Sequence, residues 1–315
     1  MPVLIRMILL LAVATQAIVT VQALLHDRRP TAAIDGIEYD YCLCDGGGGD
    51  GDDSDPLPAP SFDRLLASSL ASSDKTYHHG YHRFYSRLLE PYYRLRTSSP
   101  PIRLLEIGVQ TGVSIEAWER LFPDGSIYAI DYDGRGSSLS SPNRGDQLYR
   151  LSPSGSSIIY YGDQSDGAFL QDLVQDLRDR YDSDDSPTPL LDVVIDDGSH
   201  VPTHQIFTFE QLWPHVAPGG LYLIEDIETS YWQQPVGLYG YSFDREPSAL
   251  DHFKQAIEVV QREFSRFRDE SRYPADVYHS IQGLSFYQNL IVIRKQDPAV
   301  DGPYSDRTYR FERWL

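Results

Sequence analysis

The chain has 315 residues, enough for one large α/β domain with appendages, and 41% of them are hydrophobic, so a sizeable core can form. Its formal net charge of −19 argues against a nucleic-acid partner, because binding a phosphate backbone needs basic patches that release counterions. Only two cysteines occur, Cys42 and Cys44, too few for a disulfide framework or a zinc site; they read as incidental, or as points of intermolecular pairing or modification.

The chain opens with Met1–Arg6, an apolar run from Met7 to Leu25, and then His26-Asp27-Arg28-Arg29. That run fits a secretory signal, and it comes close to the roughly 20 residues that a membrane-spanning helix needs. Residues 1–30 therefore read as a signal peptide or a membrane anchor, with organellar targeting as a third reading. Membrane attachment through residues 7–25, and a place in the secretory pathway (anchored in the ER or Golgi, or secreted), follow as expectations. Residues 31–61 include Gly46 to Gly49 and Asp50, Asp52, Asp53 and Asp55. Such a composition buries too little apolar surface to offset its ordering entropy, and predicts a disordered linker.

Residues 62–100 turn helical and aromatic and predict a helical cap, followed by a core at 101–296 and a tail at 297–315. Short apolar runs at Arg103–Val109, Ser126–Asp131, Ile158–Tyr161, Leu191–Asp196 and Gly220–Glu225 suit strands buried on both faces. Helical patterns separate them at Ser114–Leu121, Ala168–Tyr181 and Thr203–Val216, and another covers Ser248–Arg266. Two last strands, Tyr278–Leu284 and Phe286–Arg294, predict an antiparallel pair. The alternation implies a Rossmann-like, doubly wound α/β sheet. The segment Asp133–Ser157, rich in Ser, Gly, Pro and Arg, predicts a surface insertion.

Chemistry concentrates at the predicted strand ends. Leu104-Leu105-Glu106-Ile107-Gly108 runs into a turn closed by Gly112, where backbone can approach a ligand at a helix N-terminus. Asp131, ending the second strand, can accept hydrogen bonds from a ribose diol, and Asp163 from an adenine amino group; the rival role for this segment is capping the next helix. Asp196-Asp197 and Glu225-Asp226 end neighbouring strands, and four crowded carboxylates repel one another unless a cation compensates. Oxygen ligands of this kind suit Mg²⁺, or alternatively Mn²⁺ or Ca²⁺. His200, three residues beyond Asp197, has the side chain for a general base, with His204 as its rival. His78, His79 and His82 read as substrate-facing or structural, and Tyr231, Trp232, Tyr239 and Tyr241 as an acceptor wall.

Together these stretches resemble class I S-adenosylmethionine-dependent methyltransferases, and within them the Mg²⁺-dependent macrolide sugar O-methyltransferases. The resemblance runs from about Ser73 to Lys295 and rests on Ser73-Asp74-Lys75, His79-Gly80-Tyr81, Leu105-Glu106-Ile107-Gly108, Gly162–Asp166, Asp196–His200 and Ile224–Trp232. The chain departs from the family pattern at Thr76-Tyr77 and at Val113. The resemblance implies a seven-stranded sheet with the last strand antiparallel. It implies a cofactor site of Glu106, Gly108, Asp131 and Asp163, to which the reading of the strand ends adds Gly112 and Asp196. It further implies a metal held by Asp197, Glu225 and Asp226, and His200 as catalytic base. The implied activity is metal-assisted methylation of a hydroxyl on a sugar or other small acceptor, with S-adenosylmethionine and Mg²⁺ as cofactors and a homo-oligomer allowed. The competing reading is a catalytically silent nucleoside-binding module.

Overall fold

A computed structural model describes residues 61–95, 100–132, 149–152, 154–181, 189–232, 248–261 and 273–301. All of them fall in the compact unit Pro58–Leu315. The expected N-terminal segment, the acidic linker, most of the tail, and Tyr239 and Tyr241 lie outside the described residues.

Three helices precede the sheet: α1 (Phe62–Ser69), α2 (Asp74–Tyr77) and α3 (His82–Leu95). There follow β1 (Arg103–Ile107), α4 (Val113–Leu121), β2 (Ser126–Asp131), β3 (Tyr149–Leu151), β4 (Ser157–Tyr161), α5 (Gly167–Tyr181), β5 (Leu191–Asp196), α6 (Pro202–Leu212) and β6 (Val216–Glu225). The chain continues through α7 (Ala249–Val260), α8 (Ala275–Tyr278), β7 (Ile281–Tyr287), β8 (Leu290–Lys295) and α9 (Pro298–Asp301).

The sheet order is β3-β4-β2-β1-β5-β6-β8-β7. Strands β4, β2, β1, β5 and β6 are parallel, and β8 runs antiparallel to β6 and β7. The seven expected strands are therefore present with β8 reversed. An eighth, β3, comes from the predicted insertion and pairs antiparallel with β4 at the edge.

Strand residues alternate between two cores, as the two-residue period of a strand requires. Leu105, Ile107, Val194, Tyr222 and Ile224 pack with α5, α6 and α7. Leu104, Val193, Ile195, Leu221 and Leu223 pack with α1, α3 and α4 on the other face. Extended by one step, the same alternation directs Glu106 and Glu225 toward the α1–α3 side and Asp196 toward the α5–α7 side.

Boundaries shift where backbone chemistry intervenes. β1 stops at Ile107 because Gly108 turns to φ +97°. α6 ends at Leu212, giving way to a 3₁₀ turn Trp213–His215, since Pro214 cannot donate to the helix ladder. The last hairpin turns at Gln288-Asn289, three to four residues later than predicted, with Asn289 in the left-handed region at φ +60°.

Candidate active site

The first wall is the turn after β1. Gly108 donates its N–H to Ile130 at 2.8 Å, and Gly112, at φ +81°, caps α4. A Cβ on Gly108 would lie 2.0 Å from the carbonyl oxygen of Asp197, so only glycine lets the β1 and β5 ends come this close. Glu106 is fully enclosed; its Oε2 accepts from Trp118 Nε1 at 2.8 Å and its Oε1 lies 3.1 Å from Lys75 Nζ. Burial raises its pKa, and the Lys75 charge works against that rise. Asp131 stands at the end of β2, where its Oδ1 accepts the N–H of Tyr132 at 3.1 Å.

Asp163 Oδ1 accepts from both the N–H and the hydroxyl of Ser165, at 2.8 and 2.7 Å, so this oxygen shapes its own turn. Asp166 Oδ1 accepts from Ala168 N–H at 2.9 Å at the start of α5, the capping role weighed in the sequence. Asp196 requires a correction. Its side chain is wholly buried on the α5–α7 side, held by Gln164 Nε2 at 3.1 Å and Tyr222 OH at 3.4 Å, so it does not line the crevice as a cofactor residue. Burial raises its pKa to about 6, with the Gln164 hydrogen bond opposing.

The helices before the sheet supply donors to the other carboxylates. Lys75 is buried on α2 and pairs with Asp197 Oδ2 and, at 2.8 Å, with Glu225 Oε1. Tyr85 on α3 also donates to Glu225 Oε1. Burial alone would lower the Lys75 pKa, but Asp197, Glu225 and Glu106 hold it well above the ordinary lysine range. Tyr81 OH donates to Asp226 Oδ1 at 2.7 Å, and Asn289 Nδ2 reaches the same oxygen at 3.2 Å.

The expected metal set is thereby divided. Asp197, His200 and Asp226 each offer a ligand atom, and these atoms all lie within 4.8 Å of one another. His200 Nε2 is 3.7 Å from both Asp197 Oδ1 and Asp226 Oδ2. Glu225 stands outside this group, because strand alternation buries it against Lys75 and Tyr85. The two carboxylates, converging from adjacent strand ends, suit a hard divalent cation, and the imidazole beside them is left as a base rather than a ligand of such an ion. His200 and Asp226 are non-glycine residues at φ +54° and +53°, a conformation that the surrounding structure must enforce. His204, the rival base, places Nδ1 3.0 Å from Ser199 Oγ, and burial lowers its pKa.

Beside Asp226 opens a cavity of about 480 Å³, lined by His78, His79, Glu228, Tyr231, Phe286, Tyr287 and Asn289 among others. That size suits a small organic ligand. His79, Asp226 and Glu228 form a second group of converging ligand atoms at this mouth. Tyr231, read in the sequence as part of an acceptor wall, lines the cavity, and Phe286, Tyr287 and Asn289, which the sequence reading did not single out, line it too.

Lys75, Tyr81, Tyr85, Trp118 and Gln164 also escaped assignment. Lys75 and Tyr81 sit inside the short motifs that carry the family resemblance. No spacing rule signals that a lysine on a four-residue helix is buried, so that role was visible only in three dimensions.

Comparison with known proteins matches residues 105–227 to a methyltransferase domain family. The chain is 34% identical over 203 residues to mycinamicin VI 2''-O-methyltransferase of Micromonospora griseorubida, covering 62% of this chain and 44% of that one. It is 29% identical over 267 residues to 8-demethyl-8-alpha-L-rhamnosyl tetracenomycin-C 2'-O-methyltransferase of Streptomyces olivaceus, covering 78% and 61%. Among solved structures it resembles the MycE methyltransferase from the mycinamycin biosynthetic pathway in complex with Mg and SAH. That match has a TM-score of 0.54 and 30% identity, over 76% of this chain and 55% of that one. The chain thus spans about half the length of the first of these relatives and three fifths of the second. These matches overturn the ER or Golgi placement. The relatives are enzymes of Micromonospora and Streptomyces, bacteria that have neither organelle. Among the described residues, no helix is long and apolar enough to cross a membrane.

Proposed function

We propose that this chain, whose residues 105–227 match a methyltransferase domain family, transfers the methyl group of S-adenosylmethionine to a hydroxyl of a sugar or other small hydroxylated acceptor, with a divalent cation assisting. The observation that carries the reading is the convergence of Asp197, His200 and Asp226 within 4.8 Å, with Asp197 against the glycine turn and Asp226 hydrogen-bonded to Asn289 of the cavity wall. The relatives named as O-methyltransferases, one of them of a rhamnosyl compound, and the solved relative in complex with Mg and SAH support the same chemistry.

The backbone of Gly108 to Gly112, with Asp131 and Asp163, is assigned to the nucleoside part of the cofactor. Glu106, buried at the end of β1 and paired with Lys75 and Trp118, is assigned to the cofactor site through the turn that it supports. Asp197 and Asp226 are assigned as the carboxylate ligands of Mg²⁺, which supplies Lewis acidity toward the acceptor hydroxyl when bound. His200 takes the hydroxyl proton at Nε2 as the acceptor oxygen forms its bond to the methyl carbon. The carbon–sulfur bond breaks with its electron pair passing to sulfur, leaving S-adenosylhomocysteine. The cavity lined by Tyr231, Phe286 and Tyr287 receives the acceptor, since pyranose rings stack on aromatic faces, while His79 and Asn289 offer hydrogen-bond partners. Holding the reactants in attack geometry is the main source of acceleration.

The test is methyl transfer from isotopically labelled S-adenosylmethionine to a panel of glycosides, with Mg²⁺ or with EDTA. Transfer that stops in EDTA and returns with Mg²⁺ is the expected result. Cofactor binding without transfer to any glycoside or small hydroxylated acceptor would leave the silent nucleoside-binding module as the better account.

A further inference from the structure

We propose that Lys75 is a resident counter-cation of the carboxylate site, holding Asp197 and Glu225 when no divalent ion is bound and competing with that ion for them. The inference rests on the metal reading above and deepens it.

A lysine is rarely buried unless it is paired, because removing an ammonium from water is costly. Lys75 is almost wholly enclosed, and its Nζ contacts Asp197 Oδ2, Glu225 Oε1 at 2.8 Å and Glu106 Oε1 at 3.1 Å. Its backbone is pinned on both sides. The Lys75 N–H donates to Asp74 Oδ1 at 2.9 Å, and the Lys75 carbonyl accepts from Tyr81 N–H at 2.6 Å. The ammonium is thus delivered to one place by a short, fixed segment.

That place lies between Asp197, which is assigned to the metal, and Glu225, the further carboxylate that the family resemblance implied for it. Asp197 divides its oxygens, Oδ2 to Lys75 and Oδ1 toward His200 and Asp226. Glu225 Oε1 is shared by Lys75 and Tyr85. Without the ammonium, Glu106, Asp197, Glu225 and Asp226 would place four carboxylates together with no buried lysine or arginine among the described residues to offset them. An incoming divalent ion meets a site whose charge Lys75 has already partly neutralised, and it gains Glu225 only by drawing it from Lys75. The competition weakens metal binding while keeping the metal-free fold intact.

The experiment compares Mn²⁺ binding by calorimetry in the wild-type chain, in Lys75→Met, which removes the charge at similar volume, and in Lys75→Arg, which keeps it. The expected result is tightening of about tenfold or more in Lys75→Met, from loss of one nearby positive charge, with Lys75→Arg close to wild type. Lys75→Met should also lose thermal stability in EDTA and recover more of it with Mn²⁺ than wild type gains. A merely structural lysine would lower stability without tightening Mn²⁺. Folded Lys75→Met that binds Mn²⁺ equally or more weakly overturns the inference and leaves the metal reading standing. Absence of Mn²⁺ binding to all three proteins overturns the metal reading, and this inference with it. If Lys75→Met does not fold under either condition, the ammonium resonance of Lys75 in ¹⁵N-lysine-labelled wild-type protein decides. A shift on adding Mg²⁺ supports competition, and an unmoved resonance overturns it.

Discussion

Tyr81 and Asp226 clasp each other twice: the Tyr81 hydroxyl donates to Asp226 Oδ1 at 2.7 Å and accepts the Asp226 N–H at 3.2 Å. The pair lies 145 residues apart in sequence and fixes Asp226 at φ +53° at the end of β6. Tyr81→Phe removes both bonds, leaving the partly buried Asp226 N–H without this acceptor and its Oδ1 with Asn289 Nδ2 as remaining donor. A stability loss of about 1–3 kcal/mol is expected in denaturant unfolding, together with weaker Mn²⁺ binding. Wild-type stability and affinity would show that the clasp does not hold Asp226.

His200→Asn removes the group assigned to the proton. The expected effect is a fall in kcat of about 10²- to 10⁴-fold, with S-adenosylhomocysteine affinity kept within a few fold. Unchanged kcat at neutral pH would move the base elsewhere, with His79, 3.6 Å from Asp226, next in line.

Asp226→Asn keeps an acceptor for Tyr81 but removes a charge from the ligand group. Mn²⁺ affinity should fall at least about tenfold, while cofactor binding persists, because the glycine turn and Asp131 lie on other strands. Calorimetry with each ligand separately distinguishes the two effects.

Two glycines with positive φ offer an internal control. Gly108→Ala drives a Cβ to 2.0 Å from the Asp197 carbonyl oxygen, backbone that cannot swing aside. A loss of about 3 kcal/mol or more, or failure to fold, is expected. Gly155, at φ +78°, has nothing within 4 Å of such a Cβ, so Gly155→Ala should cost only about 1 kcal/mol. Comparable losses at both positions would show that close approach is not what requires Gly108.

His215 gives a pH signature away from the site. Burial first, then Arg178 and Lys295, lower its pKa to about 4, below the ordinary value of 6.5. Protonation is therefore easier in the unfolded chain. The stability it contributes is fully present above about pH 6.5 and is lost as pH falls from there toward 4. Allowing for its partial exposure, about 1–2 kcal/mol should vanish across that window. His215→Gln should flatten this limb in urea titrations at several pH values; an identical slope would assign the acid sensitivity to other groups.

Much of the fold was legible because buried parallel strands write themselves as short apolar runs, and β2 and β5 match their predicted spans. What escaped were features decided by tertiary pairing. The edge strand Tyr149–Leu151 forms against β4 from a segment without strong apolar signal, and the β7–β8 turn depends on Asn289 accepting a left-handed backbone. In the site, Asp197, His200 and Asp226 converge as their spacing at adjacent strand ends implied. Asp196 and Glu225 were harder, because consecutive residues at a strand end face opposite sides. That alternation sends Asp196 to Gln164 and Glu225 to Lys75. Lys75 itself reads in sequence like any exposed lysine, and only its three carboxylate neighbours reveal what holds it inside.

The most direct test of the central claim is calorimetric titration of the chain with S-adenosylhomocysteine, followed by Mn²⁺, in one cell. Saturable 1:1 binding of each ligand, with the Mn²⁺ step lost in Asp226→Asn and the first step retained, is the predicted result. No heat from S-adenosylhomocysteine in a cooperatively folded protein would contradict the methyltransferase account.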